Sequence, residues 1–188
     1  MVQMKIVILG TSSAKPTEER SLSSLAILRE GELLLFDAGE GAQKNLIKAK
    51  LGLNRKMKIF ITHLHGDHCV GLLGLLQTMS MANRDKPLHI YGPRGLSGFI
   101  KNSMKYLRFH LTYSVTIHQI RNGVIVEEEG YIVKTCRGDH SINNQAYLLE
   151  ERPRPGIFNP EKATKLGIPE GNLQKGKILK ENLQKAKS

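Results

Sequence analysis

Residues 61–76 read ITHLHGDHCVGLLGLL, and four side chains able to bind a metal, His63, His65, Asp67 and His68, fall within six positions of it. Neutral imidazole nitrogens and carboxylate oxygens suit zinc, and manganese and iron as well. Gly66 lets the backbone turn, so side chains two apart need not point in opposite directions. A natural division gives His63 and His65 to one metal and Asp67 and His68 to a second. Two metals roughly 3.5–4 Å apart clamp both oxygens of an in-line displacement. Further on, CRGDHSINN offers His140. With His63 and His65 it makes three nitrogens and an open fourth position, the pattern of a catalytic zinc. Asp139 reads as a loop residue rather than a ligand. No histidine or aspartate follows His140, so the second metal has only Asp67 and His68 from this chain. His89, His110 and His118 lie in or beside apolar segments, with no partner at ligand spacing, and read as structural.

These ligands need a scaffold. MKIVIL (4–9) ending at Gly10, SSLAIL (23–28), ELLLFD (32–37) and MKIFIT (57–62) read as strands, the second and third joined by an Arg29-Glu30-Gly31 turn. Gly39 and Gly41 open an amphipathic helix through about Lys48, and apolar spacing over 70–81 predicts another. LHIY (88–91) is a short strand, and Gly92-Pro93 starts a helix through about Lys105. YSVTIHQI, GVIVEEE, YIVKTC and NQAYLLE follow as strands. The order strand, HxHxDH loop, helix places the ligands at the carboxyl end of a β-strand, where open α/β sheets keep their sites.

From Arg152 the texture changes. RPRPGIFNP is Pro-rich, and the rest is polar and Lys-rich, with NLQK at 172–175 echoed at 182–185. This stretch holds nine Lys or Arg against three Glu, about half of the chain's net charge of +11. Such an excess favours encounter with polyanions, nucleic acid among them. Apolar runs fall far short of the roughly 20 residues of a membrane-spanning helix. No secretory signal is visible. Cys69 and Cys136 build no disulfide framework and suit a reducing cytoplasm.

THLHGDH resembles the signature of the metallo-β-lactamase superfamily. ILGTSSAKPTEERSLSSLAI, LLLFDAGEGAQ, LHIYGPRGL and GDHSINNQAYLLEERPRPGIFNPEKATKLGIPEG narrow the resemblance to ribonuclease Z, the endonuclease that trims the 3′ trailer of precursor tRNA. The match runs over roughly residues 4–172. It implies an α/β fold, the αββα sandwich of that superfamily, represented by an N-terminal half-domain (1–151) and the start of a basic arm (152–188) that grips tRNA. It also implies two zinc ions, a homodimer and a cytoplasmic location. His63, His65 and His140 would hold one zinc, Asp67 and His68 the other, with Asp67 also moving protons. Asp37 and Gly39 match a turn beneath the site, Asp37 as an anchor and not a ligand. Pro16 and Arg20 match a loop near the scissile phosphate, which makes Arg20 a candidate RNA contact. Ala146 stands where the family usually has glycine. The family's second half supplies further metal ligands and sheet strands, so half a sandwich would leave an apolar sheet face bare, and self-association is expected. Two further readings stay open: an RNA- or partner-binding module without turnover, and a metallo-hydrolase of a small phosphodiester or ester.

Overall fold

The computed structural model describes residues 4–153, together with residues 162 and 165–167. The expected arm and its NLQK echo lie almost wholly outside the described residues. A six-stranded sheet has the order β1-β2-β3-β4-β5-β6. Its first three strands are antiparallel neighbours, β1 (Met4–Gly10), β2 (Ser24–Arg29) and β3 (Glu32–Phe36). Glu30 (φ 47) and Gly31 (φ 83) join β2 to β3, both left-handed, as a tight hairpin turn of matching twist requires. Parallel pairing then adds β4 (Met57–Phe60), β5 (Leu88–Gly92) and β6 (Val115–Gln119).

Parallel strands need crossovers, and helices supply them: α1 (Ala42–Lys48) between β3 and β4, then α2 (Gly66–Cys69) and α3 (Gly71–Met81) between β4 and β5. The last, α4 (Leu96–Leu107), lies between β5 and β6 and starts later than Pro93 suggests. Gly95 is left-handed at φ 100, so the Pro93 turn is not part of the helix. Leu46, Leu72, Leu75, Leu76, Met79 and Ile100 bury the helical layer against Leu35, Ile59 and Ile90 of the sheet.

The sheet's other face is not bare, contrary to the expectation of a half-sandwich. Strands β7 (Gly123–Glu127), β8 (Tyr131–Arg137) and β9 (Gln145–Glu151) form a second sheet. Val126, Tyr131 and Val133 from it pack with Leu34, Phe60 and Tyr91 of the first. Phe60 stacks between Phe36 and Tyr91, with ring centres 4.8 and 5.1 Å away. Three layers result among the described residues: helices, large sheet, small sheet. Coverage ends at β1. Ile6 and Ile8 pair across from Ile27 and Leu25 on this same face, yet remain 61% and 65% exposed.

A buried ionic cluster crosses between the sheets. Lys58 of β4 donates to Glu32 of β3, to Glu128 at 2.7 Å and to the Tyr131 hydroxyl at 3.0 Å. Burial pulls the Lys58 ammonium down, but the bonds to Glu128 and Glu32 outweigh it, so the lysine holds its proton above the usual range.

Candidate metal centre

The centre is built at the carboxyl end of β4, where the chain leaves the sheet. Ile61 is still tied to β5 by its N–H to the Tyr91 carbonyl (2.8 Å), and Thr62 accepts the Gln145 N–H of β9 (2.9 Å). Both sheets therefore fix the residue before His63. Asp37, just past β3, is left-handed (φ 57) and donates its N–H to the Phe60 carbonyl (2.8 Å). A non-glycine residue held there aims its carboxylate under the loop.

That carboxylate organises the histidines. Its Oδ1 accepts the Thr62 N–H (2.8 Å), and its Oδ2 accepts the Thr62 hydroxyl (2.9 Å). Oδ2 also lies 2.6 Å from His68 Nδ1. Thr62 Oγ1 in turn sits 2.9 Å from His63 Nδ1. If Nδ1 carries the proton on both rings, each hydrogen bond is made and Nε2 is left bare on His63 and His68 for a metal. This is the arrangement by which ligating histidines are usually oriented.

His63 Nε2 lies 3.1 Å from His65 Nδ1, and His140 Nε2 lies 3.2 Å from the same atom. The three donor atoms fall within 4.8 Å of one another. Nitrogens on a tetrahedral zinc at about 2.0–2.1 Å stand about 3.3 Å apart, so the donor set fits a metal of this class. His63 is buried, His65 half-buried and His140 exposed, which leaves the fourth side open. His140 arrives from a loop after β8, closed by the Gly138 N–H on the Asn144 carbonyl (3.0 Å). Asp139 is exposed and stands outside this donor set.

Asp67 and His68 occupy the helical turn α2, not an irregular loop. Asp67 Oδ2 is 3.5 Å from His68 Nε2 and accepts the backbone N–H of Ala14 at 2.9 Å. Burial pushes the Asp67 carboxyl up, but the Ala14 N–H and neighbouring His68 outweigh it and hold it below the ordinary range. The Asp37 carboxylate raises His68 above the usual histidine value against its burial. Burial and then the charge at His68 lower His63, which favours its neutral, ligating form. Cys69 donates to the His65 carbonyl (3.3 Å), and burial pushes its thiol up to about 11, so it stays protonated and is no ligand.

Arg20 does not join these residues. It lines a separate groove of about 540 Å³ whose charged residues are Lys44, Lys48, Glu18 and Glu19 besides Arg20 itself. His89 and His118, 29 residues apart, meet each other at 3.1 Å between Nδ1 and Nε2, a pairing that sequence spacing conceals. Thr62 and Ala14 escaped the sequence reading. The signal for Thr62 was its hydroxyl beside His63; Ala14 acts through an N–H that every residue but proline has.

The family model described as Anti-Pycsar protein Apyc1 matches residues 4–153, the span that holds every candidate ligand. A ribonuclease Z from Nitrosopumilus maritimus is 56% identical over 170 residues, covering 90% of this chain and 57% of the relative. The crystal structure of the short form of human tRNase Z superposes with a TM-score of 0.73 at 34% identity, over 79% of this chain and 65% of that one. The chain belongs to the family of that model, and over its matched span it is similar to ribonuclease Z. Its fold is that of the metallo-β-lactamases, as in YhfI of Bacillus subtilis, with a TM-score of 0.62 at 16% identity over 78% of this chain and 57% of that one. The chain spans a little over half the length of the curated ribonuclease Z relatives it matches. No helix among the described residues is long and apolar enough to cross a membrane.

Proposed function

We propose that this chain carries the metal-binding part of a zinc-dependent endoribonuclease that hydrolyses a phosphodiester to release the 3′ trailer of precursor tRNA. One observation carries the reading: three imidazole nitrogens at metal-ligand spacing stand beside the Asp67–His68 pair, both sets braced by one carboxylate, Asp37. His63, His65 and His140 would hold one zinc, and Asp67 with His68 would contribute to a second. Bound zinc would supply Lewis-acid polarisation of the phosphodiester and lower the pKa of a bound water. The chain's own residues do the rest. Asp67, kept ionised and aimed by the Ala14 N–H, accepts or delivers a proton at Oδ2. Asp37 and Thr62 keep the rings from turning. Arg20 would contact the RNA backbone, and the basic segment after Arg152 adds to the hold on tRNA. The reading places the protein in the cytoplasm, acting as a homodimer.

A second reading is a module that binds RNA or a partner without turnover. Elemental analysis of the purified chain, with its oligomeric mass, separates the two. Near two zinc per chain with cleavage of a precursor tRNA upholds the endonuclease. One zinc or fewer and no cleavage, with tRNA still bound, gives the second reading. Cleavage of a small phosphodiester that excess tRNA fails to inhibit would move the activity to a small substrate.

A further inference from the structure

Beside the Asp67–His68 pair an open cavity of about 570 Å³ extends away from the proposed metal ligands. Its size is that of a small-ligand site, for which roughly 300–1,000 Å³ is usual. Ala14, Leu22 and Val70 give it apolar walls. Val70 is 49% exposed at the junction of α2 and α3, an apolar side chain left facing the solvent beside metal ligands. Ser13 and Glu40 supply the polar rim, and His65 and Asp67 close the inner end. In a chain with 28 Lys and Arg, the Glu40 carboxylate has no ion-pair or hydrogen-bond partner among the described residues.

We infer that this cavity is a nucleobase subsite for a nucleotide flanking the scissile phosphate, with Glu40 reading N–H groups on the base edge. The inference rests on the phosphodiesterase reading of the neighbouring ligands. The Glu40 carboxylate disfavours phosphate beside it, so the scissile phosphate keeps to the end formed by His65 and Asp67 and the flanking base faces Glu40. A flat base gains from the apolar walls, and its N–H groups satisfy the carboxylate. Guanine fits best, because N1–H and the N2 amino group donate in parallel to both oxygens of one carboxylate. Uracil, which offers a single N–H flanked by two carbonyl oxygens, sets those oxygens against the carboxylate.

The test is a methyl-detected NMR titration of the full chain in metal-free buffer with guanosine 5′-monophosphate and with uridine 5′-monophosphate, which share the phosphate. The guanine nucleotide is expected to bind about tenfold tighter, the discrimination a bidentate base contact gives. Ala14, Leu22 and Val70 methyls should shift. Glu40→Gln should bring the ratio near one, and Val70→Lys should abolish the methyl shifts with both. Equal affinities, shifts confined to Lys- and Arg-rich surface, or a ratio unmoved by Glu40→Gln would overturn the subsite. A chain that discriminates the nucleotides but cuts no tRNA keeps the subsite and loses the endonuclease reading; one that cuts without discriminating does the reverse.

Discussion

Asp37 serves both halves of the ligand set with one carboxylate, reaching His68 directly and His63 through the Thr62 hydroxyl. Removing a group of this kind, which touches ligands and not metal, typically costs about 10–100-fold in metal affinity. We therefore expect Asp37→Asn, which keeps the shape but loses the charge, to weaken zinc binding by about that factor. Competition with a chromogenic chelator measures it. Thr62→Ser should bind as the parent does, because the hydroxyl remains, and Thr62→Val should follow Asp37→Asn. Parent-like affinity in Asp37→Asn would show that the rings are held by packing instead. At this scale the clustering of His63, His65, Asp67 and His68 was legible because the four stand close in sequence. His140 was legible only as a histidine in a loop after a strand. The Ala14 N–H was not legible at all, since its role depends on a fold that brings it 53 positions across the chain to Asp67.

Elements meet beneath the site with almost no room. A Cβ on Gly71 would stand 2.0 Å from the Gly39 carbonyl oxygen, and one on Gly39 would stand 2.3 Å from the Asp67 carbonyl oxygen. Neither glycine is needed for a left-handed backbone; together they let α2 and the start of α3 press on the turn after Asp37. Gly71→Ala should destabilise by about 1–3 kcal/mol, the usual cost of overpacking. Gly98 is the control: it sits in α4, where a Cβ meets nothing within 4 Å. Gly98→Ala should stabilise by roughly 0.5–1 kcal/mol through helix propensity. Thermal melts of the two variants should move in opposite directions. A Gly71→Ala chain melting with the parent would mean that the turn yields. Strand positions were legible to within a residue or two because their apolar runs end at glycines or charges. The break between α2 and α3 was not, because Val70 keeps helical angles (φ −65, ψ −36) and leaves no mark in the pattern. Nor was the pairing of β7, β8 and β9 into a covering sheet, which depends on long-range contacts.

Two different joints link the sheets: Tyr147 of β9 packed on the Phe36 and Phe60 rings, at 5.8 and 5.5 Å between ring centres, and the Lys58 cluster. Lys58→Met leaves buried Glu32 with the Tyr131 hydroxyl at 2.9 Å and Lys56 at 3.5 Å, without its closest cation, and should cost about 3 kcal/mol. The hydrogen bond from Lys58 outweighs burial in holding Glu128 below its ordinary 4.5, so its contribution is present above that value and lost as pH falls through the folded one. Lys58 is raised above 10.5, so its contribution is full below that value and lost as pH climbs past the folded one. Denaturant melts should thus show the gap between parent and variant widest from about pH 5 to pH 10, narrowing in acid; a gap constant with pH would mean the lysine acts through its methylenes. Among the described residues, the inner face of β1 has no covering strand. Ile6 and Ile8 continue the apolar row of Ile27 and Leu25 beyond the last covering strand, on the edge of the large sheet. Scattered exposed apolar residues are ordinary, but two β-branched ones side by side on an edge strand invite another sheet. The chain should therefore self-associate as its concentration rises. An Ile6→Lys, Ile8→Lys pair should shift the mass seen by light scattering toward the monomer. Its melting temperature should change little, because neither side chain is buried in the single chain. If the pair lowers stability as much as it lowers association, those isoleucines belong to the core. If the mass is unchanged while stability holds, the copies meet through some other surface.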